Sequence, residues 1–64
     1  MKIFNITAQV YNRHDKYKQT IFMNELVEST SETSAKDLFK LNLIERDDIL
    51  VKILSVEQIP QDAA

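Results

Sequence analysis

"KIFNITAQVY", residues 2–11, alternates: Phe4, Ile6, Ala8 and Val10 share one parity, and Asn5, Thr7 and Gln9 take the other. Period two with β-branched and aromatic side chains is the pattern of a strand with one face buried and one wet. The alternation breaks at "NRHDKYK", residues 12–18, where Asn12 and Asp15 favour turns through local side-chain hydrogen bonds. That segment reads as a hairpin connection. Beyond it, "QTIFMNELVE", residues 19–28, reads as a second strand with mixed alternation. Ile21, Met23 and Val27 share one parity and Phe22 and Leu26 the other. Either both faces are partly covered or a bulge switches faces midway.

"STSETS", residues 29–34, is a helix-start signal. Ser29 with Glu32 fits a capping box, and Ser31 is the competing N-cap. Glu32 and Asp37 fall in the early turns, where the helix dipole favours anions. Ala35, Leu38, Phe39 and Asn42 follow at i, i+3, i+4 and i+7, the stripe of a core-facing helix of roughly three turns. "NLIERDD", residues 42–48, reads as a connection. "ILVKILSVEQI", residues 49–59, reads as a third strand ended by Pro60, which has no amide hydrogen to give a ladder. Residues 61–64 are expected to form a disordered tail, leaving 1–60 as a single domain.

The order strand-strand-helix-strand predicts an α+β fold, ββαβ. The hairpin makes the first two strands antiparallel, and the helix returns the chain so that strand three runs parallel to strand two. The crossover rule then places strand three beside strand one, giving sheet order 2-1-3 with the helix over the face of Phe4, Ile6, Ala8 and Val10. Strand three carries apolar residues of both parities, Ile49, Val51 and Ile53 against Leu50, Leu54 and Val56. One set should face the helix; the other is a surplus that points to self-association or a partner.

Sixty-four residues with 28% charged and 44% hydrophobic content make a small globular domain. The chain has no Cys, which excludes disulfides and thiolate metal sites and fits a reducing cytoplasm. It has no Gly, which excludes Gly-rich phosphate cradles and nucleophile elbows and leaves positive-φ turns to Asn or Asp. No apolar run exceeds three residues, so neither a membrane span nor a signal peptide is expected. The net charge of −2 is the wrong sign for a dedicated nucleic-acid binder.

The segments "KIFNITAQV", Phe22, "SETSA" and "VKILSVEQI" together resemble the small archaeal large-subunit ribosomal protein LX. The resemblance covers most of the chain. It implies the same strand-strand-helix-strand order and binding to ribosomal RNA.

Little catalytic chemistry is on offer. His14 is the only imidazole, and its neighbour Asp15 in a turn does not make a triad. The serines cluster at the helix start, where capping accounts for them. Asp47 and Asp48 are adjacent and splay in water, and a metal site joining them to His14 and Asp15 needs chance proximity. No catalytic residue, metal, cofactor or small-molecule substrate is therefore expected. The candidate binding surface is the hairpin tip: Arg13, His14, Lys16, Tyr17 and Lys18. Residues 11–19 sum to +2, so the other 55 residues sum to −4. The sequence reads best as a non-enzymatic protein-interaction module, an adaptor or accessory protein that meets a protein partner or itself. Small, acidic, Gly-free chains of this style point to a phage or mobile-element accessory protein. The competing reading is an RNA- or DNA-binding accessory protein that uses the basic hairpin 11–19, with tyrosines to stack on bases.

Overall fold

The computed structural model describes residues 1–60 and contains β1 (Lys2–Asn12), β2 (Ile21–Ser29), α1 (Glu32–Glu45) and β3 (Asp48–Ile59). The expected tail, 61–64, lies outside the described residues. The fold is α+β: three strands in the order β2-β1-β3, both outer strands antiparallel to the central one, with one helix. The sheet is open, with β2 and β3 as its two edges.

The alternation of β1 places its side chains as expected. Phe4, Ile6, Ala8 and Val10 are at most 3% exposed, and Ala35, Phe39 and Leu43 of α1 are at most 1% exposed. With Val27 these form the core. β2 runs beside β1 through nine consecutive pairs, from Lys2↔Ser29 to Val10↔Ile21, with no bulge. Its mixed pattern is therefore two faces. Met23 and Val27 pair with Ala8 and Phe4 on the helix side, while Phe22 and Leu26 pair with Gln9 and Asn5 on the side away from it.

The helix decides between the two caps its sequence offers and departs from its sequence reading in two further respects. The cap is Ser31, whose Oγ accepts from the Ser34 amide at 3.1 Å; Glu32 is the first helical residue and meets Lys36 rather than completing a box with Ser29. The buried stripe is Ala35, Phe39 and Leu43, a pure i, i+4, i+8 row, with Leu38 turned out to 42% exposure. An i+4 row drifts about 40° per step, so a helix crossing the sheet obliquely keeps this row in contact and sheds Leu38. The helix also continues to Glu45, through half of the expected connection, because the turn needs only two residues. Arg46 donates its amide to Asn42 and Leu43, and Asp47 donates to Ile44 with φ of 59°. Asp47 thus takes the left-handed position that usually belongs to Gly after a helix.

In β3 the register against β1 shifts twice, between Thr7 and Ala8 and between Gln9 and Val10. Ser55 pairs with Thr7 and Ile53 with Ala8, which leaves Leu54 over; Lys52 pairs with Gln9 and Leu50 with Val10, which leaves Val51 over. Each bulge reverses the parity of the residues beyond it. Leu50, Ile53 and Val56, spaced by three, all reach the helix side and pack against the core. Of the remaining apolar residues, Ile49 pairs with Tyr11 on the opposite side and is half-buried, while Val51 and Leu54 at the bulges are 50% and 42% exposed.

Candidate functional site

The hairpin between β1 and β2 is held by its own carboxylate. Asp15 accepts from the Tyr17 amide through Oδ1 (3.0 Å) and from the Gln19 amide through Oδ2 (2.9 Å), and Asn12 Oδ1 accepts from the His14 amide (2.9 Å). These side chains replace the glycine such a turn would otherwise use. Lys18 nonetheless adopts φ of 52°, where Asn or Asp was expected. Its amide donates to the Asp15 carbonyl, and both bonds to the Asp15 carboxylate flank it, so local bonding fixes a conformation that costs about 1 kcal/mol.

The predicted surface residues sit at this tip without converging. Tyr17 is 81% exposed, and the Lys16 ammonium lies 5.6 Å from the centre of its ring. His14 turns away to the helix-to-β3 turn, with Nε2 3.3 Å from Asp47 Oδ2. Arg13 donates its amide to the Asp47 carbonyl at 2.7 Å, and Asn12 Nδ2 donates to Asp48 Oδ1 at 3.2 Å. The acids Asp47 and Asp48 therefore fasten the two turns at one end of the sheet. Among the described residues no group of three or more His, Asp or Glu side chains is placed to hold a metal ion.

Beside this end an open groove of about 250 Å³ runs between α1 and β3, lined by Arg13, Lys40, Leu43, Ile44, Asp48, Ile49 and Leu50. Its walls are mostly apolar, with two cations, Arg13 and Lys40, and one acid, Asp48. Sequence reasoning did not bring Lys40 and Ile44 to Arg13, since nothing in their spacing shows where the helix crosses β3.

The larger feature is the side of the sheet away from α1. The centre of this side carries Asn5, Thr7 and Gln9, as the alternation of β1 predicts, and Asn24 Nδ2 donates to Thr7 Oγ1 at 2.8 Å. The outer strand β2 places Phe22 and Leu26 there, 72% and 64% exposed and separated by Asn24. Both are large apolar side chains standing in water at a sheet edge, an arrangement that marks interaction sites. Asn5 Oδ1, next to Leu26, is shielded from solvent and has no hydrogen-bond partner among the described residues. On the helix side of the same strand, Glu25 Oε2 accepts from Arg46 Nη2 at 2.7 Å and Glu25 Oε1 from Asn42 Nδ2 at 3.4 Å. Arg46 Nη2 also lies 3.9 Å from Met23 Sδ. Glu25 and Arg46 are 21 residues apart, so no local spacing announced their pairing. Among the described residues no helix is long and apolar enough to cross a membrane.

No protein-family model matches the chain, and no curated protein or solved structure is significantly similar to it.

Proposed function

We propose that the chain is a non-enzymatic protein-interaction module that engages a protein partner through β2 and the helix-free side of the sheet. The observation that carries this reading is the pair Phe22 and Leu26, 72% and 64% exposed on one face of an unpaired edge strand. Burying each would contribute about 1.5–3 kcal/mol to an interface. A regular edge also offers its backbone donors and acceptors for strand addition. The test is site-specific crosslinking. A photo-reactive residue at position 22 or 26 should capture a protein in the native host, and the same group at Lys16 or Lys18 should not. The captured protein, once purified, should bind the unmodified chain and lose affinity for Phe22→Ser with Leu26→Ser. Capture at 16 and 18 alone would reject the reading.

A second reading is favoured by the hairpin end, where Arg13 and Lys40 line a groove with Asp48 and, on the hairpin, Lys16 lies over the exposed Tyr17 ring. Here the chain would bind RNA or DNA through its basic tip, as the likeness to ribosomal protein LX implies. Binding to mixed RNA at low salt should then fall steeply with added salt, and Lys16→Glu with Lys18→Glu should abolish it. No detectable low-salt binding would eliminate this reading.

A further inference from the structure

β2 and β3 are both edges, but they differ. The register of β3 is broken by two bulges, a device that discourages edge pairing. β2 keeps unbroken register over its whole length and, among the described residues, has no strand on its outer side. We infer that β2 pairs antiparallel with β2 of a second copy, across a two-fold axis at Asn24, to give a continuous sheet in the order β3-β1-β2-β2-β1-β3. This rests on the interaction reading above and names the partner.

A two-fold axis normal to the sheet sets one residue opposite its own copy and keeps both helices on one side. Centring on Asn24 places Phe22 opposite the other copy's Leu26, and Ile21 opposite Val27. Met23 then faces Glu25, and Thr20 faces Glu28. Faces agree in every pair, because partners always differ by an even number. Centring on Glu25 instead sets two carboxylates face to face and Phe22 against Glu28. Centring on Met23 sets Leu26 against Thr20 and Phe22 against Asn24. Of these three registers, only the one centred on Asn24 matches apolar with apolar on both faces; a centre at Phe22 also does so but pairs only residues 21–23 of β2.

The charges agree with the same register. Arg46 lies 2.7 Å from Glu25 and 3.9 Å from Met23 of its own chain. Since Met23 faces the other copy's Glu25, each Arg46 arrives beside both carboxylates. Two guanidinium groups and two carboxylates then lie around the axis on the helix side as a complementary set. The helices fit side by side. β1 and its copy stand three strand spacings apart, about 14 Å, against a helix diameter of about 10 Å. Leu38 lies one turn before Asn42, on the side of α1 that meets Glu25, and has the remaining gap to fill.

The experiment is twofold. Sedimentation of the full chain up to about 200 µM, where an interface with a Kd in the tens of micromolar is largely formed, should show twice the 7.5 kDa chain mass. Leu26→Lys should weaken the dimer about tenfold or more, since two apolar pairs are lost per dimer. The chain has no cysteine, so Asn24→Cys introduces a single thiol at the axis. Directly opposite residues lie about 4.5–5.5 Å apart between Cα atoms, within disulfide reach. Mild oxidation should crosslink Asn24→Cys rapidly. It should leave Phe22→Cys unlinked, because Phe22 sits four residues from its own copy, about 13 Å. Circular dichroism confirms that each variant is folded. A folded chain that stays monomeric, or equal crosslinking at 22 and 24, overturns the inference. If photo-crosslinking at 22 still captures another protein, the interaction reading survives with a different partner; if that capture also fails, both fall.

Discussion

Leu38 and Leu43 separate the structure's helix face from the one that sequence periodicity suggests. Leu43 is 1% exposed among Phe39, Ala35 and the β1 residues, whereas Leu38 is 42% exposed. Leu43→Ala removes a buried isobutyl group and leaves a cavity, a change that costs about 3–5 kcal/mol. Leu38→Ala loses only the transfer term of the buried part of its side chain, and solvent fills the space, so about 1 kcal/mol is expected. A domain of this length holds roughly 3–10 kcal/mol in total, and its urea slope is about 1 kcal/mol/M. Leu38→Ala should therefore move the urea midpoint down by about 1 M. Leu43→Ala should move it by about 3 M or more, or leave the chain unfolded before urea is added. The assay is far-ultraviolet circular dichroism against urea at one fixed protein concentration, because self-association would add a mass-action term. Equal shifts, or a larger one for Leu38→Ala, would refute the placement of α1 on the sheet.

Three further outcomes rest on particular contacts. Ser31→Ala should cost about 1 kcal/mol by removing the acceptor for the Ser34 amide, and Ser29→Ala less than half of that; thermal unfolding of the pair decides which serine is the cap. Asn5→Val should raise the urea midpoint by about 1 M, since it removes a shielded carbonyl oxygen that has no partner and adds a β-branched side chain to the central strand; no gain would mean the oxygen is satisfied in solution. Asp47→Gly should be neutral or stabilising by up to about 1 kcal/mol, and Asp47→Val destabilising, because φ of 59° suits Gly and penalises a β-branched residue; differential scanning calorimetry gives the order.

The candidate surface was only partly legible. The hairpin 11–19 stands where its turn residues place it, and Asp15 does close it. Yet the residues that crowd together in sequence do not all turn one way, since a turn points successive side chains in different directions: Lys16 lies over the Tyr17 ring while His14 turns to Asp47. Phe22 and Leu26 were visible as a minority parity, but their exposure depends on which face the helix covers.

Local chemistry determined the element order, the antiparallel hairpin and the absence of thiol and Gly-loop sites, through periodicity, turn residues and composition, which act over a few neighbours or over the whole chain at once. β1 as the central strand follows from that order and the right-handed crossover. Tertiary structure decided the rest. The oblique crossing of α1 selected Ala35, Phe39 and Leu43 over Leu38. Two bulges gathered Leu50, Ile53 and Val56 on one face, although strict alternation puts them on two. Arg46 found Glu25 across 21 residues. Each of these depends on how one element lies against another, and side-chain spacing along a single segment carries no record of that.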